Sequence, residues 1–153
     1  MEMLPSGLPE SVADAEDLAR FLPQSNYFNQ VGVKPVAFLP NPKNLETSVF
    51  RHGGDAVPNL RRIGEENIGG GRTIYGTAFL KAHHVRAAML QVLASEPPAR
   101  HANIVGWPCD KDPEMEKAKR KDLANQLAQQ AVLLRILIIE VLSPMSPVLV
   151  TGR

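Results

Sequence analysis

His101 and Asn103 are the residues of this chain whose types and spacing best suit chemistry. They lie two apart in the short β-prone stretch 101–107, and side chains two apart on a strand point to the same face. Histidine transfers protons readily near neutral pH, and an asparagine amide can orient a substrate or support an oxyanion. We therefore predict a catalytic pair, and the alternative is a satisfied polar pair over the core.

A second group of residues suits the negative part of a substrate. Arg51 and His52 end a predicted strand beside a glycine pair, where a guanidinium fork and an accessible backbone match phosphate or carboxylate. Strand alternation sends these two side chains to opposite faces. We add Arg72 as a further anion-binding residue and Tyr75 as a positioning residue. The alternative for Arg51 is a salt bridge at the end of the strand, followed by a turn.

Three other features predict no site. His83 and His84 are adjacent and lack the i, i+4 spacing of a helical zinc pair, so we expect no metal and no cofactor. Glycines 69–71 precede a predicted strand, whereas phosphate-cradling loops follow a strand and open a helix. Ser48 and Ser95 lack the Gly-x-Ser-x-Gly context of a nucleophile elbow. The sequence therefore gives no support for a hydrolase of that type.

Positive charge is concentrated in the middle of the chain. Residues 34–100 carry nine lysines or arginines against five acidic residues, although the formal net charge of the chain is only +1. Such an excess can steer phosphates or acidic partners. It lacks the continuous Lys/Arg run that is typical of nonspecific nucleic-acid binding, so a nucleic-acid partner is a weaker alternative.

The composition is that of an ordinary globular protein, with 44% hydrophobic and 22% charged residues. A length of 153 residues favours a single domain over 1–153, and we expect 1–10 and 143–153 to be irregular. The first residues lack the basic and apolar regions of a secretory signal. Cys109 is the lone cysteine and permits no intrachain disulfide. Both features favour a cytoplasmic protein.

The elements that must position these residues predict an α+β fold. Apolar spacing predicts helices over 11–22 and 81–94 and a short helix capped by Asp55. A capping carboxylate followed by proline predicts a further helix from Asp112. Segments 33–39 and 45–51 predict a hairpin, and 73–80 and 101–107 predict two more strands. We expect about four short, mostly antiparallel strands, three to four helices and a long C-terminal helix.

The functional prediction depends on the apolar run 132–142. It has nine apolar residues in eleven and is too short to cross a bilayer, which needs about 20, so we expect no membrane association. One possibility is that the helix ends near Leu134 and that Ile136 to Leu142 form a buried strand, which their β-branched side chains favour. The absence of Gly, Pro and Asn between 126 and 142 favours instead a continued helix whose end is buried by another subunit. We therefore expect a binding or assembly subunit that forms a homo-oligomer or protein complex through 132–142. The alternative is a small enzyme or nucleotide-handling domain acting on an anionic, phosphate-bearing substrate.

Overall fold

The computed structural model describes residues 2–52, 57–68 and 72–135, and the strands of these ranges form one six-stranded antiparallel sheet. The strands are β1 (Asp17–Leu22), β2 (Thr47–Arg51), β3 (Gly76–Lys81), β4 (Gln91–Ala94), β5 (His101–Val105) and β6 (Val132–Arg135). Their order across the sheet is β4-β5-β2-β1-β3-β6, and all neighbours are antiparallel. The predicted α+β class is confirmed, with six strands in place of about four.

The helices of the described residues lie in the connections between these strands. They are α1 (Val57–Ile68), α2 (Ala82–Ala87) and α3 (Pro113–Gln130), with a single 3₁₀ turn over Ser25–Tyr27 and a longer 3₁₀ helix over Pro35–Phe38. As predicted, Asp112 caps α3, because its side chain accepts a hydrogen bond from the Glu114 N–H at 3.0 Å. None of the helices in the described ranges is long and apolar enough to cross a membrane.

The two faces of the sheet carry separate cores. The larger core includes side chains of α2, α3 and the 3₁₀ helix packed on strand residues such as Leu18, Leu22 and Ile104. On the opposite face, Ile63 and Ile68 of α1 pack on a smaller cluster formed by Ala19, Phe21, Phe50 and Ile74. Alternation along β1 explains the division, since successive side chains of a strand point to opposite faces.

The predicted helix over 11–22 is wrong, because residues 17–22 form β1 near the middle of the sheet. β1 pairs with β3 along its whole length, from Asp17 opposite Lys81 to Leu22 opposite Gly76. Residues four apart, such as Leu18 and Leu22, share a face in a helix and also in a strand. The apolar spacing therefore fits both structures, and pairing with two neighbouring strands decided the outcome.

The first strand of the predicted hairpin, over 33–39, is also wrong. Pro35 begins the 3₁₀ helix Pro35–Phe38, whereas the second segment of the hairpin forms β2 as expected. Proline has no N–H to donate to a sheet and is well suited to the first turn of a helix. The Thr47 hydroxyl donates a hydrogen bond to the Phe38 carbonyl at 2.8 Å, which ties the 3₁₀ helix to β2.

Two predicted helices end earlier than expected. Residues 81–94 divide into α2 and β4, and Met89 at φ 65° lies in the turn between them. The predicted long C-terminal helix does not continue through 132–135, because α3 ends at Gln130 and Val132–Arg135 pairs with β3 as strand β6. Outside the described residues lie glycines 53–54 and 69–71, Asp55, the remainder of the association segment at 136–142 and the predicted tail 143–153.

Candidate functional site

A cavity of about 570 Å³ opens where β1 and β2 separate. The two strands pair only at Leu18–Arg51 and Ala19–Phe50, so β1 diverges from β2 beyond Ala19. The polar side chains that line this β1–β2 cavity include Arg20, Glu46, Ser48, Arg72, His101 and Asn103. Its volume lies within the range of about 300–1,000 Å³ that is typical of small-molecule sites.

Ser48 and His101 form a hydrogen-bonded pair across β2 and β5. Ser48 lies opposite Asn103 and His101 lies opposite Phe50, so these side chains share one face of the sheet. Ser48 Oγ is 2.7 Å from His101 Nε2, and His101 Nδ1 is 2.9 Å from the Ser95 carbonyl oxygen. The Phe50 ring packs edge-on against the imidazole, with 5.3 Å between the ring centroids. Two hydrogen bonds and a ring contact therefore fix the orientation of His101.

The hydrogen-bond partners of His101 also define its tautomer. A carbonyl oxygen only accepts hydrogen bonds, so the Nδ1 that faces Ser95 carries a proton and donates it. In the neutral imidazole the other nitrogen, Nε2, then has a free lone pair. The Ser48 hydroxyl consequently donates to Nε2. This is the arrangement in which a histidine acts as the general base for a serine.

Arg20 contributes a cation that is held by backbone carbonyls rather than by a carboxylate. Its Nε donates to the Ala37 carbonyl at 2.8 Å and its Nη1 to the Ser48 carbonyl at 2.9 Å. Among the described residues no acidic side chain forms an ion pair with Arg20. Burial lowers the pKa of Arg20 and the nearby Tyr27 opposes this effect, but an arginine stays charged at neutral pH.

Arg72 and Asn103 also line the cavity, and their side chains form no hydrogen bond or ion pair with other described residues. Asn103 is only 9% exposed, yet its amide makes no side-chain hydrogen bond within the described part of the chain. Arg72 is exposed and has no ion pair or hydrogen bond there either. Glu46 is the acidic side chain in the lining. The lining thus contains two guanidinium groups and one carboxylate, so its charge is positive.

The structure places Arg51 away from this cavity, on the opposite face of β2. Its side chain is 0% exposed and forms two 2.8 Å hydrogen bonds with the Glu16 carboxylate. Burial raises the pKa of Glu16, but the hydrogen bonds from Arg51 and Ala13 and the charges of Arg51 and Arg86 outweigh it, so the pKa is lowered overall. The alternative interpretation of Arg51, a salt bridge at the end of the strand, matches this environment.

His52 and Tyr75 also lie outside the β1–β2 cavity. His52 lies beside Arg51 in the lining of a separate cavity, and its ring centroid is 6.1 Å from that of Phe79. Tyr75 is 41% exposed and follows the segment that contains Arg72, without contributing to the lining. Of the predicted site residues, the structure thus brings together His101, Asn103 and Arg72, and separates them from Arg51, His52 and Tyr75.

Sequence reasoning missed Ser48 and Arg20 as residues of this site. Ser48 lacks the surrounding glycines of a nucleophile elbow, and the pairing that brings it to His101 joins residues 53 positions apart. Arg20 lies in the segment that the apolar spacing predicted as a helix. Alternation within the predicted strand 45–51 was the available signal for Ser48, since it separates Ser48 from the buried Thr47 and Val49.

A second cavity, of about 480 Å³, lies between the segment 34–42 and the start of α3. Its walls are mostly apolar, and its rim carries Lys34, Lys117 and Lys121. Other cations near the start of α3 are already paired, Lys119 with Asp110 and Arg120 with Glu116. This cavity contains no serine or histidine, so we place the candidate chemistry in the β1–β2 cavity.

Comparisons of the chain with known protein families, with curated proteins and with solved structures gave no match. Within residues 2–52, 57–68 and 72–135 there is no cluster of three or more histidine, cysteine or acidic side chains arranged to hold a metal ion. The geometry of the β1–β2 cavity is therefore the evidence from which a function can be proposed.

Proposed function

We propose that this protein is a small enzyme that acts on an anionic, phosphate-bearing molecule bound in the β1–β2 cavity. In this proposal Arg20 and Arg72 bind the negative group, His101 transfers a proton and Asn103 positions the substrate. The supporting observation is that one cavity contains two guanidinium groups without an ion-pair partner in the described residues, beside a histidine of fixed orientation. Guanidinium forks match the oxygens of phosphate and carboxylate groups.

The two arginines differ in how well they are prepared for an anion. Arg20 is held in place by two backbone carbonyls, so little further conformational entropy is lost when it binds. Arg72 is exposed and must be ordered by the ligand. A hydrogen bond to a charged group contributes about 1.5–3 kcal/mol, which corresponds to roughly a 10- to 100-fold change in affinity. We expect Arg20 to lie toward the upper end of this range.

Titration with inorganic phosphate, followed by calorimetry, tests the proposal. We expect Arg72→Ala to weaken phosphate binding about 10-fold, because it removes one charged donor from the cavity. Arg62→Ala is the matched control, since Arg62 is also exposed but lies on α1 outside the lining. Both variants lower the net charge by one, so a general electrostatic effect would change them equally.

Arg20→Met provides the second variant, because methionine keeps much of the apolar volume and removes the charge. We expect a loss of phosphate affinity of about 30-fold or more. The urea midpoint of this variant shows whether the fold is retained. The proposal is wrong if wild-type protein binds no phosphate, or if Arg72→Ala and Arg62→Ala bind it equally well.

A second proposal is that the chain associates through the segment that begins with β6. It is supported by the exposure of Val132 (69%) and Leu134 (39%) on a strand at the end of the sheet order. Apolar side chains on an edge strand favour pairing with another chain. Light scattering tests this proposal: we expect an oligomer that dissociates in Leu134→Lys, and a wild-type monomer would contradict it.

A further inference from the structure

We propose that Ser48 is a nucleophile activated by His101, and that the reaction is acyl transfer from a carboxylic ester. The expectation that this ester carries an anionic group rests on the proposed function. The 2.7 Å hydrogen bond between Ser48 Oγ and His101 Nε2 is the observation that supports this assignment. Serine is a weak nucleophile unless a neighbouring base accepts its proton.

The second hydrogen bond of His101 completes this arrangement. In serine hydrolases a carboxylate usually orients the histidine, whereas here the Ser95 carbonyl oxygen is 2.9 Å from Nδ1. The Ser95 N–H donates to the His101 carbonyl at 2.8 Å, so backbone pairing fixes the position of that oxygen. A carbonyl orients the ring and selects the tautomer, but it stabilises the imidazolium less than a full negative charge does.

Ser48 is accessible to a ligand from the cavity. Its side chain is partly exposed and belongs to the lining, as does the Asn103 amide opposite it on β5. The side-chain NH₂ of Asn103 makes no hydrogen bond within the described part of the chain, so it is available to an oxyanion that forms beside Ser48. Donors of this kind stabilise the tetrahedral intermediate of acyl transfer.

The reaction has two steps, acylation of Ser48 and hydrolysis of the acyl-serine. Ser48 Oγ bonds to the ester carbonyl carbon while its proton moves to His101 Nε2. The carbonyl then re-forms, the bond to the leaving oxygen breaks, and that oxygen takes the proton from Nε2. In the second step, water attacks the acyl-serine and gives its proton to Nε2. The acyl bond to Ser48 breaks, the proton returns to Oγ, and the carboxylic acid is released.

A fluorophosphonate probe tests the nucleophile directly. It reacts when serine Oγ bonds to phosphorus, fluoride leaves and the histidine takes the proton. We expect the intact mass of the wild-type protein to increase by one adduct, and peptide mapping to locate it at Ser48. Ser48→Ala should not be labelled, and His101→Asn should be labelled about 100-fold more slowly because the general base is lost.

Ser11→Ala is the matched control, because Ser11 is exposed and lies outside the β1–β2 cavity. It should be labelled at the wild-type rate. The wild-type peptide map needs no variant, so a folding defect in Ser48→Ala would not prevent a decision. A wild-type map without an adduct at Ser48, or with equal labelling of several serines, would overturn the assignment of Ser48 as nucleophile.

Two esters define the substrate class. We expect 4-nitrophenyl hydrogen succinate, which carries a carboxylate, to be hydrolysed at least 10-fold faster than the neutral 4-nitrophenyl acetate, and Arg72→Ala to remove most of this preference. Turnover of bis(4-nitrophenyl) phosphate without turnover of either carboxylic ester would overturn acyl transfer. If the protein binds phosphate but forms no adduct at Ser48, the assignment of Ser48 as nucleophile is wrong and the proposed anion site stands. If an adduct forms at Ser48 but phosphate does not bind, the proposed anion site is wrong and the assignment of Ser48 stands.

Discussion

Glu16→Gln should strongly destabilise the fold, because it removes the counter-charge of the buried Arg51. The Arg51 side chain is 0% exposed, and its Nε and Nη2 each donate to a Glu16 carboxylate oxygen at 2.8 Å. Glutamine has nearly the same shape and keeps one acceptor oxygen. Its amide NH₂ replaces the other oxygen, so one N–H donor of Arg51 then meets another donor instead of an acceptor. The guanidinium therefore keeps its position but loses its negative partner.

The expected loss is about 3 kcal/mol. Removal of one partner of a buried ion pair costs about 3–5 kcal/mol, and we take the lower end because the Glu16 side chain is 21% exposed and water reaches it. Pro9 and Ser11 carbonyls still accept hydrogen bonds from Arg51. With a urea m value of about 2 kcal/mol/M, the midpoint should fall by about 1.5 M. The control Glu10→Gln, at an exposed position, should change it by less than about 0.3 M.

The pH dependence of this effect has a defined sign. The pKa of Glu16 in the folded state lies below its ordinary value of 4.5, so ionised Glu16 stabilises the fold fully above pH 4.5. That contribution is lost as the pH falls through the lowered pKa. The difference in free energy of unfolding between wild type and Glu16→Gln should therefore be largest near neutral pH and shrink in acid. Urea curves at several pH values measure it, and equal midpoints at pH 7 would refute the reasoning.

Three further substitutions test the packing and the chain geometry, each by urea unfolding. Asp112→Ala should cost about 1 kcal/mol, because the first turn of α3 loses its cap; an unchanged midpoint would show that the cap does not contribute. Leu127→Ala should cost about 2–5 kcal/mol, since Leu127 is 0% exposed in the larger core, and a loss below about 1 kcal/mol would contradict that packing. Gly106→Ala should cost about 1–2 kcal/mol, because φ is 92° while the nearest atoms leave room for a Cβ at 3.9 Å. A neutral result there would contradict the positive φ.

Local signals in the sequence were sufficient for some elements. Asp112 and Pro113 identify the start of α3, and two-residue alternation places His101 and Asn103 on one face of β5. The strand alternative for the apolar run was a buried strand over 136–142, which its β-branched residues favour, whereas the absence of breakers favours helix. The strand that the structure describes is β6, Val132–Arg135, whose pairing with β3 ends the helical prediction earlier than either alternative.

Long-range pairing was beyond what the sequence could predict. β1 was predicted as a helix because Leu18 and Leu22 fit either periodicity, and its true pairing places Arg20 in the β1–β2 cavity. Likewise, Ser48 meets His101 only because β2 and β5 are neighbours in the sheet. Arg51 shows the opposite case: its residue type suits an anion, but the folded chain supplies Glu16 as its partner. Residue type identified candidates, and tertiary pairing selected among them.

The most direct test of the central claim is an NMR titration of the wild-type protein with inorganic phosphate, observing the side-chain nitrogens of His101, Arg20 and Arg72. Without phosphate, His101 should carry its proton on Nδ1, as its contact with the Ser95 carbonyl requires. On titration, the Arg20, Arg72 and His101 signals should all shift with one common dissociation constant. Shifts confined to the lysines of α3, or a neutral His101 protonated on Nε2, would contradict the account.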